Sequence, residues 1–472
     1  MTERSHKNGS MNFRGNALKA KSLGHIAKTI GGVLIPECAE LLEIRKVSTD
    51  SRELSGGELF FALPALRDGH DFVDSAITRG AKAVVVSRRV QNVAPEIYVK
   101  NTLVALGELA KEYRTELAIP VIAITGSLGK TTTRMLLSHC LQAKYQVAQS
   151  KKNYNNLIGL PLSILDIEEH ELAVLELGIN LPGEMRRLAE IASPNYAVIT
   201  NIAPVHIEGL GSLDKVAEEK LELLKHLPDE GVAFISADEP RLLGQDILPR
   251  ERVRTFGRDT RADFRVENIR TLPDGRTIFD VNGISFRAKA LGEGIAHATA
   301  CAVAICTELG ISPDEIVGRV AEFEGVPGRL TVHELDGIVF IEDYYNSSPL
   351  AVKQGLRALS AMAGARKVAV LGDMLELGRD EVRYHEEVGA FAGECRIDEL
   401  YLFGELMANA VQPAISAGIS QNNIFHTTNF EELISRLMND LQGGDIVLVK
   451  ASRSMKFERI TTELEGACAA RS

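Results

Sequence analysis

A short glycine-rich segment, flanked by an apolar run and a helical stretch, limits the possible folds of this chain more than any other feature. Residues 121–125 are Val-Ile-Ala-Ile-Thr, which is typical of a buried strand, and residues 125–132 are Thr-Gly-Ser-Leu-Gly-Lys-Thr-Thr. The stretch that follows, to about Lys144, has the spacing of a helix. A strand, a tight turn and a helix in this order are typical of a parallel sheet whose loops bind phosphate groups.

The chemistry expected of this loop follows from its residue types. Its glycines allow a tight turn that aims backbone N–H groups at phosphate oxygens. The Lys130 ammonium can reach the terminal phosphates of ATP, and the Thr131 hydroxyl can hold Mg²⁺. The spacing is shorter than the common motif Gly-x-x-x-x-Gly-Lys-Ser/Thr, because Ile124 stands where the first glycine would be. The predicted ATP contacts in this loop are Gly126, Ser127, Gly129, Lys130, Thr131 and Thr132.

Chain length and the order of elements indicate several domains. The chain has 472 residues, which is too many for one hydrophobic core. Strands alternate with helices in two series, and a loop at 325–329 separates them. We predict an α/β protein with a flexible extension at 1–20 followed by three domains. These are a small mixed α/β domain at 21–118, a central P-loop ATPase-like domain with a parallel sheet at 119–327, and a C-terminal doubly wound, Rossmann-like domain at 328–472.

Composition disfavours several classes of protein. The formal net charge is −11, unlike that of a nucleic-acid-binding protein. The six cysteines include no Cys-x-x-Cys pair, so neither a zinc site nor a disulfide framework is expected. The N-terminal segment is polar and basic, unlike a secretory signal, and no run of about 18 apolar residues could span a membrane. We expect a cytoplasmic monomer without a membrane span.

Two polar residues lie at the end of, or just after, buried strands of the central series. Glu176 ends the apolar run 172–177, and ligands collect at the carboxyl ends of strands in such sheets. A carboxylate there can bind Mg²⁺, although an ordinary acid at a strand end is the alternative. His206 follows the next strand, where a histidine is more often a loop residue than a ligand. Its position after a strand of the same sheet makes it a second candidate ligand.

Lys220 stands out because its helical neighbours are apolar. The residues three and four positions away are Val216, Ala217, Leu223 and Leu224. One interpretation is a lysine that extends its ammonium from the edge of the apolar face to solvent. The other is a desolvated amine with a lowered pKa, which could react with CO₂ to form a carbamate. A carbamate would be a new anion able to help hold a metal ion.

Several segments, in this order along the chain, resemble the Mur ligase family of cell-wall precursor synthesis. The resemblance runs from about Leu23 and includes the loop at 125–132. The other segments are Asn-Tyr-Asn-Asn-Leu-Ile-Gly-Leu-Pro at 153–161, Val-Leu-Glu-Leu-Gly at 174–178, His-Ile-Glu-Gly-Leu-Gly-Ser at 206–212, Val-Pro-Gly-Arg-Leu at 326–330, Glu-Asp-Tyr-Tyr-Asn-Ser-Ser-Pro at 342–349, Leu-Gly-Asp-Met-Leu-Glu-Leu-Gly at 371–378 and Val-Leu-Val-Lys-Ala-Ser-Arg at 447–453. Within the family, the chain looks most like the enzymes that use ATP to join D-alanyl-D-alanine to UDP-N-acetylmuramoyl-tripeptide through an acyl phosphate.

The resemblance implies a role for each residue at a matching position. The implied catalytic residues are Lys130, Glu176, His206 and Lys220. The implied metal ligands are Thr131, Glu176, His206 and a carbamylated Lys220. The implied nucleotide contacts outside the loop are Asn155, His297, Arg329 and Asp343. The implied substrate contacts are Ser51, Arg52, Asp68, Gly69, His70, Asn156, Tyr345 and Asn346.

Two alternative functions stay open at this point. One is a neighbouring ligase that adds a diamino acid to the dipeptide precursor, or glutamate to folate. Diamino-acid ligases usually carry Asp-Asn-Pro-Arg where this chain has Gly-Asp-Met-Leu-Glu at 372–376, which speaks against that role. The other is a regulator that binds nucleotide without catalysis. It is motivated by residues 294–298, Gly-Ile-Ala-His-Ala, which replace the family's His-Asn…Asn stretch near adenine.

Overall fold

The computed structural model describes residues 19–65, 67–90, 94–151, 153–205 and 207–471. His206 therefore lies outside the described residues. The chain forms two compact units. The first contains residues up to 119 together with 150–173 and 190–193, and the second contains 120–149, 174–189 and 194–472. The domain boundaries predicted from the sequence stay predictions.

The strands are β1 Lys21–Ser22, β2 Val33–Ile35, β3 Glu43–Ile44, β4 Val47–Ser48, β5 Leu59–Phe61, β6 Ala83–Val86, β7 Glu96–Tyr98, β8 Val121–Thr125, β9 Val147–Gln149, β10 Leu172–Glu176, β11 Tyr196–Ile199, β12 Val232–Ser236, β13 Val253–Gly257, β14 Phe264–Thr271, β15 Thr277–Val281, β16 Ile284–Ala288, β17 Thr331–Leu335, β18 Ile338–Glu342, β19 Arg366–Gly372, β20 Glu399–Phe403, β21 Ile424–Thr427 and β22 Asp445–Lys450.

The α-helices are α1 Leu23–Thr29, α2 Val73–Thr78, α3 Thr102–Leu117, α4 Lys130–Leu141, α5 Gly159–Leu165, α6 Glu184–Ala192, α7 Ile207–Leu210, α8 Leu213–Leu221, α9 Glu293–Glu308, α10 Pro313–Glu322, α11 Pro349–Ala361, α12 Glu381–Glu394, α13 Val411–Ser416, α14 Phe430–Asp440 and α15 Glu458–Arg471. Short 3₁₀ turns lie at Glu37–Ala39, Ser51–Glu53, Gly69–Phe72, Glu222–His226, Arg250–Arg252, Gly378–Asp380, Leu406–Ala410, Gln421–Asn423 and Arg453–Met455.

The first unit is built on a small mixed sheet in the order β2-β7-β6-β5-β4. Strands β4 to β7 pair in parallel, and β2 pairs antiparallel with β7. Alternate residues of β5 and β6, among them Phe60 and Val84, pack with Val73 of α2 in one buried cluster. This is the mixed α/β character predicted for the N-terminal part of the chain.

The second unit contains the central sheet, in the order β16-β15-β14-β13-β12-β11-β8-β10-β9 among the described residues. Strands β8, β11, β12 and β13 pair in parallel. Each residue of β8 is buried, which explains why its first four residues are apolar. The β14–β16 end pairs antiparallel, so the sheet is mixed rather than purely parallel.

The C-terminal sheet of the second unit has the order β17-β18-β22-β19-β20-β21. Strands β18 to β22 run parallel, and β17 pairs antiparallel with β18. Alternate residues of β19 enter separate cores on the two faces, as Val368 and Ala369 do. The predicted doubly wound architecture is therefore confirmed. Because the last strand, β22, is inserted between β18 and β19, the carboxyl ends of these three strands form a switch point where ligands can bind.

Within the described stretches, no helix has both the length and the apolar character needed to cross a membrane.

Candidate active site

Three neighbouring strands of the central sheet bring the phosphate loop together with its partners. Strand β8 lies between β11 and β10, and the loop follows β8 directly. Glu176 is the last residue of β10, and Thr200 and Asn201 follow β11. Residues that are 45 and about 75 positions apart in sequence therefore meet at one edge of the sheet.

The backbone of the loop needs glycine at two positions. Gly126 has φ of 145°, and a Cβ built on it would lie 1.9 Å from Thr200 Oγ1. Gly129 has φ of 78° and is the N-cap of α4. Because this cap has no side chain, it does not cover the first N–H groups of α4. These groups and the positive end of the helix dipole are suited to binding an anion.

Side chains after β11 hold the loop in place. Ser127 Oγ donates to Ala203 O at 3.0 Å and accepts from Ala203 N at 2.9 Å. Asn201 Oδ1 accepts from Leu128 N at 2.8 Å, and Thr200 Oγ1 donates to Leu128 O at 2.6 Å. Sequence reasoning predicted Ser127 as a nucleotide contact but missed Thr200 and Asn201. Their position directly after a strand of the same sheet was the signal that could have found them.

Lys130 lies in the first turn of α4 with its ammonium over the loop. Its Nζ donates to Gly126 O at 2.7 Å and to Ser127 O at 3.4 Å. Burial lowers the pKa of Lys130, the Glu176 carboxylate opposes this effect, and the Arg329 guanidinium adds to it. Thr132 follows in the same helical turn and is partly buried. A cation held at the phosphate loop suits the binding of the terminal phosphates.

Glu176 and Thr131 place two oxygen donors side by side. Glu176 is 2% exposed, and its Oε2 accepts a hydrogen bond from Thr131 Oγ1 at 3.0 Å. Arg134 Nε lies 3.5 Å from the same oxygen. Carboxylate and hydroxyl oxygens are the donors that Mg²⁺ prefers, so the residues present fit this ion. Sequence reasoning missed Arg134, because a charged residue on a helix is usually solvent-exposed.

Lys220 is buried, as one of the two sequence interpretations required. It is 3% exposed on the apolar face of α8, together with Val216 and Ala217. Burial lowers its pKa well below the usual lysine value, the Lys130 charge lowers it further, and Glu219 opposes both. The amine is therefore held toward its neutral, nucleophilic form, and a lysine that reaches solvent is excluded.

A contact from the C-terminal domain reaches the phosphate loop. Arg329 donates from an Nη atom to Thr131 Oγ1 at 3.1 Å. The guanidinium carbon of Arg329 lies 4.2 Å from the centre of the Tyr345 ring, and Tyr345 N donates to Gly328 O. Asp343 lies two residues before Tyr345, and its Oδ2 is 2.6 Å from Lys450 Nζ. Burial raises the pKa of Asp343, against the opposing charges of Lys450 and Arg329.

His297 lies in α9 and contacts a carboxylate after β12. Its Nδ1 is 3.3 Å from Asp238 Oδ2, and burial lowers its pKa while the Asp238 charge opposes that change. Asp238 Oδ1 also accepts the backbone N–H groups of Arg258 and Asp259. The predicted adenine contact of His297 stays a prediction.

The predicted sugar-binding residues of the first unit lie in two turns. Ser51 is buried in a 3₁₀ turn, where Arg52 pairs with Asp50 at 2.6 Å. Asp68 Oδ1 accepts from His70 N at 3.0 Å and lies 2.6 Å from His70 Nδ1. The hydrogen bond from the His70 backbone lowers the pKa of Asp68 most, and the contact with the His70 ring lowers it further. A Cβ on Gly69 would lie 2.6 Å from Leu63 N, so this turn requires glycine.

A pocket of about 270 Å³ lies within the first unit. Its lining residues are Val47, Ser48, Thr49, Asp50, Glu53, Glu58, Tyr154 and Leu162. Asp50 directly precedes the predicted contacts Ser51 and Arg52. Tyr154, which sequence reasoning did not select, directly precedes Asn155. The pocket therefore combines parts of two segments that the sequence linked to substrate.

Three family models match the chain in succession. They describe a Mur ligase family catalytic domain at residues 43–132, a Mur ligase middle domain at 124–306 and a Mur ligase glutamate ligase domain at 328–453. The UDP-N-acetylmuramoyl-tripeptide–D-alanyl-D-alanine ligase of Bacillus subtilis is 36% identical over 454 residues, which cover 94% of this chain and 98% of that relative. The ligase of the same name from Escherichia coli is 34% identical, with 89% and 94% covered.

This chain belongs to the Mur ligase family.

Solved structures support the assignment of this chain to the Mur ligase family. MurF from Acinetobacter baumannii superposes with a TM-score of 0.86 at 27% identity, covering 95% of this chain and 100% of that chain. MurF ligase from Thermotoga maritima in complex with ADP superposes with a TM-score of 0.80 at 30% identity, covering 90% and 98%. The family resemblance and the three-domain α/β architecture expected from the sequence are thus confirmed.

Two further predicted residues of the Mur ligase lie in the first unit. Asn156 Oδ1 accepts from Ile158 N at 3.1 Å and from Gly159 N at 2.9 Å, so it supports the start of α5. Asn155 N donates to Asn153 O in the preceding turn. The predicted roles of Asn155 and Asn156 in nucleotide and substrate binding stay predictions.

Proposed function

We propose that this chain uses ATP to join D-alanyl-D-alanine to UDP-N-acetylmuramoyl-tripeptide in peptidoglycan precursor synthesis. The observation that carries the proposal is the set of contacts around Thr131. Its hydroxyl donates to the buried Glu176 carboxylate and accepts from Arg329 of the C-terminal domain. The central and C-terminal domains thus meet where the transferred phosphoryl group would lie. The curated relatives named for this reaction match nearly the whole chain.

The reaction needs ATP because a carboxylate is a poor electrophile. The terminal carboxylate of the tripeptide attacks the γ-phosphorus, the bond from that phosphorus to the bridging oxygen breaks, and ADP leaves. The product is an acyl phosphate. The amine of D-alanyl-D-alanine then attacks the acyl carbon, a C–N bond forms, and phosphate and a proton are released.

The residues of the chain act by positioning and by charge. The loop N–H groups and Lys130 hold the phosphates, and Arg329 adds a second cation beside Thr131. Mg²⁺, when bound, would offset the negative charge that develops during phosphoryl transfer. Thr131 and Glu176 would hold this ion, together with His206 and a carbamate on Lys220. Carbamate formation requires a neutral amine, and burial favours that form because it lowers the pKa of Lys220.

The proposed substrate contacts lie in the first unit and at residues 345–346 of the C-terminal domain. Ser51, Arg52 and the Asp68–His70 turn would bind the uridine diphosphate sugar near the pocket that contains Asp50. Tyr345 and Asn346 would contact the substrates from the C-terminal domain, and Asn155 and Asn156 would face the nucleotide and the growing peptide. Cytoplasmic location and a monomeric state belong to the same proposal.

Phosphate release with omission of each component tests this function. The assay contains purified chain, ATP, Mg²⁺, UDP-N-acetylmuramoyl-tripeptide and D-alanyl-D-alanine. We expect release only when both substrates are present, with the joined product detected by mass. Turnover with the dipeptide precursor and a diamino acid instead would assign the neighbouring ligation step. No turnover with any pair, despite ATP binding, would favour the non-catalytic regulator.

A further inference from the structure

Lys450 is a buried lysine that has no role in the reaction proposed above. It is the last residue of β22 and is 1% exposed. Its side chain passes against α11, since a Cβ built on Gly355 would lie 3.7 Å from Lys450 Cδ. A lysine ammonium is rarely buried so completely unless its charge and its three N–H donors are satisfied.

All three described partners of the ammonium belong to one loop. Lys450 Nζ donates to Asp343 Oδ2 at 2.6 Å, to Asp343 O at 3.2 Å and to Asn346 O at 3.0 Å. Asp343 N also donates to Val449 O of β22 at 2.9 Å. The ammonium therefore holds both ends of the segment 343–346 by hydrogen bonds at the carboxyl end of β22, which lies at the switch point of the sheet.

A short series of contacts connects the segment 343–346 to the phosphate loop. Tyr345 lies between the two anchored residues, and its ring packs on the Arg329 guanidinium. Arg329 in turn donates to Thr131 Oγ1. The segment 343–346 and two side chains, Tyr345 and Arg329, thus connect the buried charge of Lys450 to Thr131, which would hold nucleotide-bound Mg²⁺.

We propose that Lys450 is a positioning residue for the ligation, which fixes the loop 343–346 so that Tyr345 and Arg329 are aligned on the phosphate loop. This inference deepens the proposed function and rests on it for the identity of the nucleotide. The charge of Lys450 matters because it compensates the Asp343 carboxylate, and its length matters because one ammonium must reach two loop carbonyls.

The test compares Lys450→Met with a matched control in the full chain. Methionine keeps most of the stem and removes the charge. The control is Lys353→Met, which removes a lysine–carboxylate pair of the same domain, between Lys353 Nζ and Glu387 Oε2 at 3.0 Å. Two quantities are measured: hydrogen exchange of the 343–346 amides without ligand, and the Kd and stoichiometry of ATP binding by calorimetry.

We expect Lys450→Met to speed exchange at 343–346 while the β20 amides keep their protection. The Kd for ATP should rise about tenfold, in the range of couplings carried by packed networks, with one site per chain retained. Lys353→Met should change neither quantity. If Lys450→Met unfolds below the assay temperature, Lys450→Gln, which keeps a hydrogen-bond donor, should show the same two changes in smaller measure.

Unchanged exchange at 343–346, or an equal increase in β20, would overturn the inference. A lower stoichiometry at unchanged Kd would also overturn it, since a purely structural residue reduces the folded fraction without altering the affinity of what remains. Failure of the unaltered chain to bind ATP would instead refute the proposed function, and the exchange comparison would still decide the role of Lys450.

Discussion

Lys220 combines deep burial with a side chain that is costly to bury. The neighbouring Lys130 charge adds to the burial that lowers its pKa. Nothing in the packing of α8 requires an amine here, because Val216 and Ala217 on the same face are apolar. The role proposed for Lys220 accounts for this burial, because functional sites often give up stability for chemistry.

Lys220→Met should therefore separate stability from activity. We expect the free energy of unfolding to rise by about 1 kcal/mol, because an apolar group of similar length replaces a buried amine. Ligation should fall about 100-fold, because the proposed carbamate could not form on methionine. Urea unfolding and phosphate release measure the two effects. Lys215→Met, at an exposed lysine of the same helix paired with Glu218, should change neither. Full activity in Lys220→Met would rule out the carbamate.

Arg134 provides a second prediction for a single side chain. Its Nε lies 3.5 Å from Glu176 Oε2, and an Nη atom donates to Gln149 Oε1 at 2.8 Å. Arg134→Met should lower activity about tenfold at limiting Mg²⁺, because this cation no longer orients the Glu176 carboxylate. Gln149→Leu, which removes only the other partner, should have a smaller effect. Equal losses in the two variants, measured as a function of Mg²⁺ concentration, would contradict this view of Arg134.

The phosphate loop is the element in which backbone conformation matters most. Both of its glycines have positive φ, but only Gly126 is crowded, with Thr200 Oγ1 where its Cβ would be. A Cβ on Gly129 would meet nothing within 4 Å. An added side chain at Gly126 would therefore meet a steric conflict, whereas one at Gly129 would meet only conformational strain.

Gly126→Ala should abolish ATP binding, because the loop must move away from Thr200. Gly129→Ala should weaken binding by a smaller factor, since left-handed strain in one residue costs about 1–2 kcal/mol. Calorimetric titration with ATP measures both, and thermal unfolding checks that the variants fold. The reverse order of effects would show that contact with Thr200 does not set the loop conformation.

At the level of the whole molecule, Arg329 links the central and C-terminal domains through Thr131. Arg329→Met should lower kcat about 100-fold, the size of effect seen when one charge-stabilising donor is lost, with a smaller change in ATP affinity. Arg453, whose guanidinium carbon lies 5.7 Å from the centre of the same Tyr345 ring, offers the matched control. Arg453→Met should retain most activity. A loss confined to ATP affinity in Arg329→Met would place its role in binding rather than in the reaction.

Local patterns were enough to predict the fold class and to select the central residues of the candidate site. The apolar run of β8, the glycine turn and the periodicity of α4 lie within about 20 adjacent residues, and the apolar neighbours of Lys220 lie within one helix. Each of these signals comes from residues close in sequence, where propensity and periodicity act directly. The antiparallel strand β17 and the inserted position of β22 were not predicted, because pairing between strands depends on partners far along the chain.

The contacts that assemble the site depend on such distant partners. Thr131 meets Glu176 across 45 residues and Arg329 across 198, and Lys450 meets Asp343 across 107. Amino-acid order alone indicates which residue types can bind phosphate or metal, because that chemistry is local. Formation of the sheets and packing of the helices decide which of these residues lie at the same edge of a sheet. The same packing decides which lysine is buried against which carboxylate. Arg134 and Lys450 became recognisable only at that stage, since their roles lie in the partners they hold.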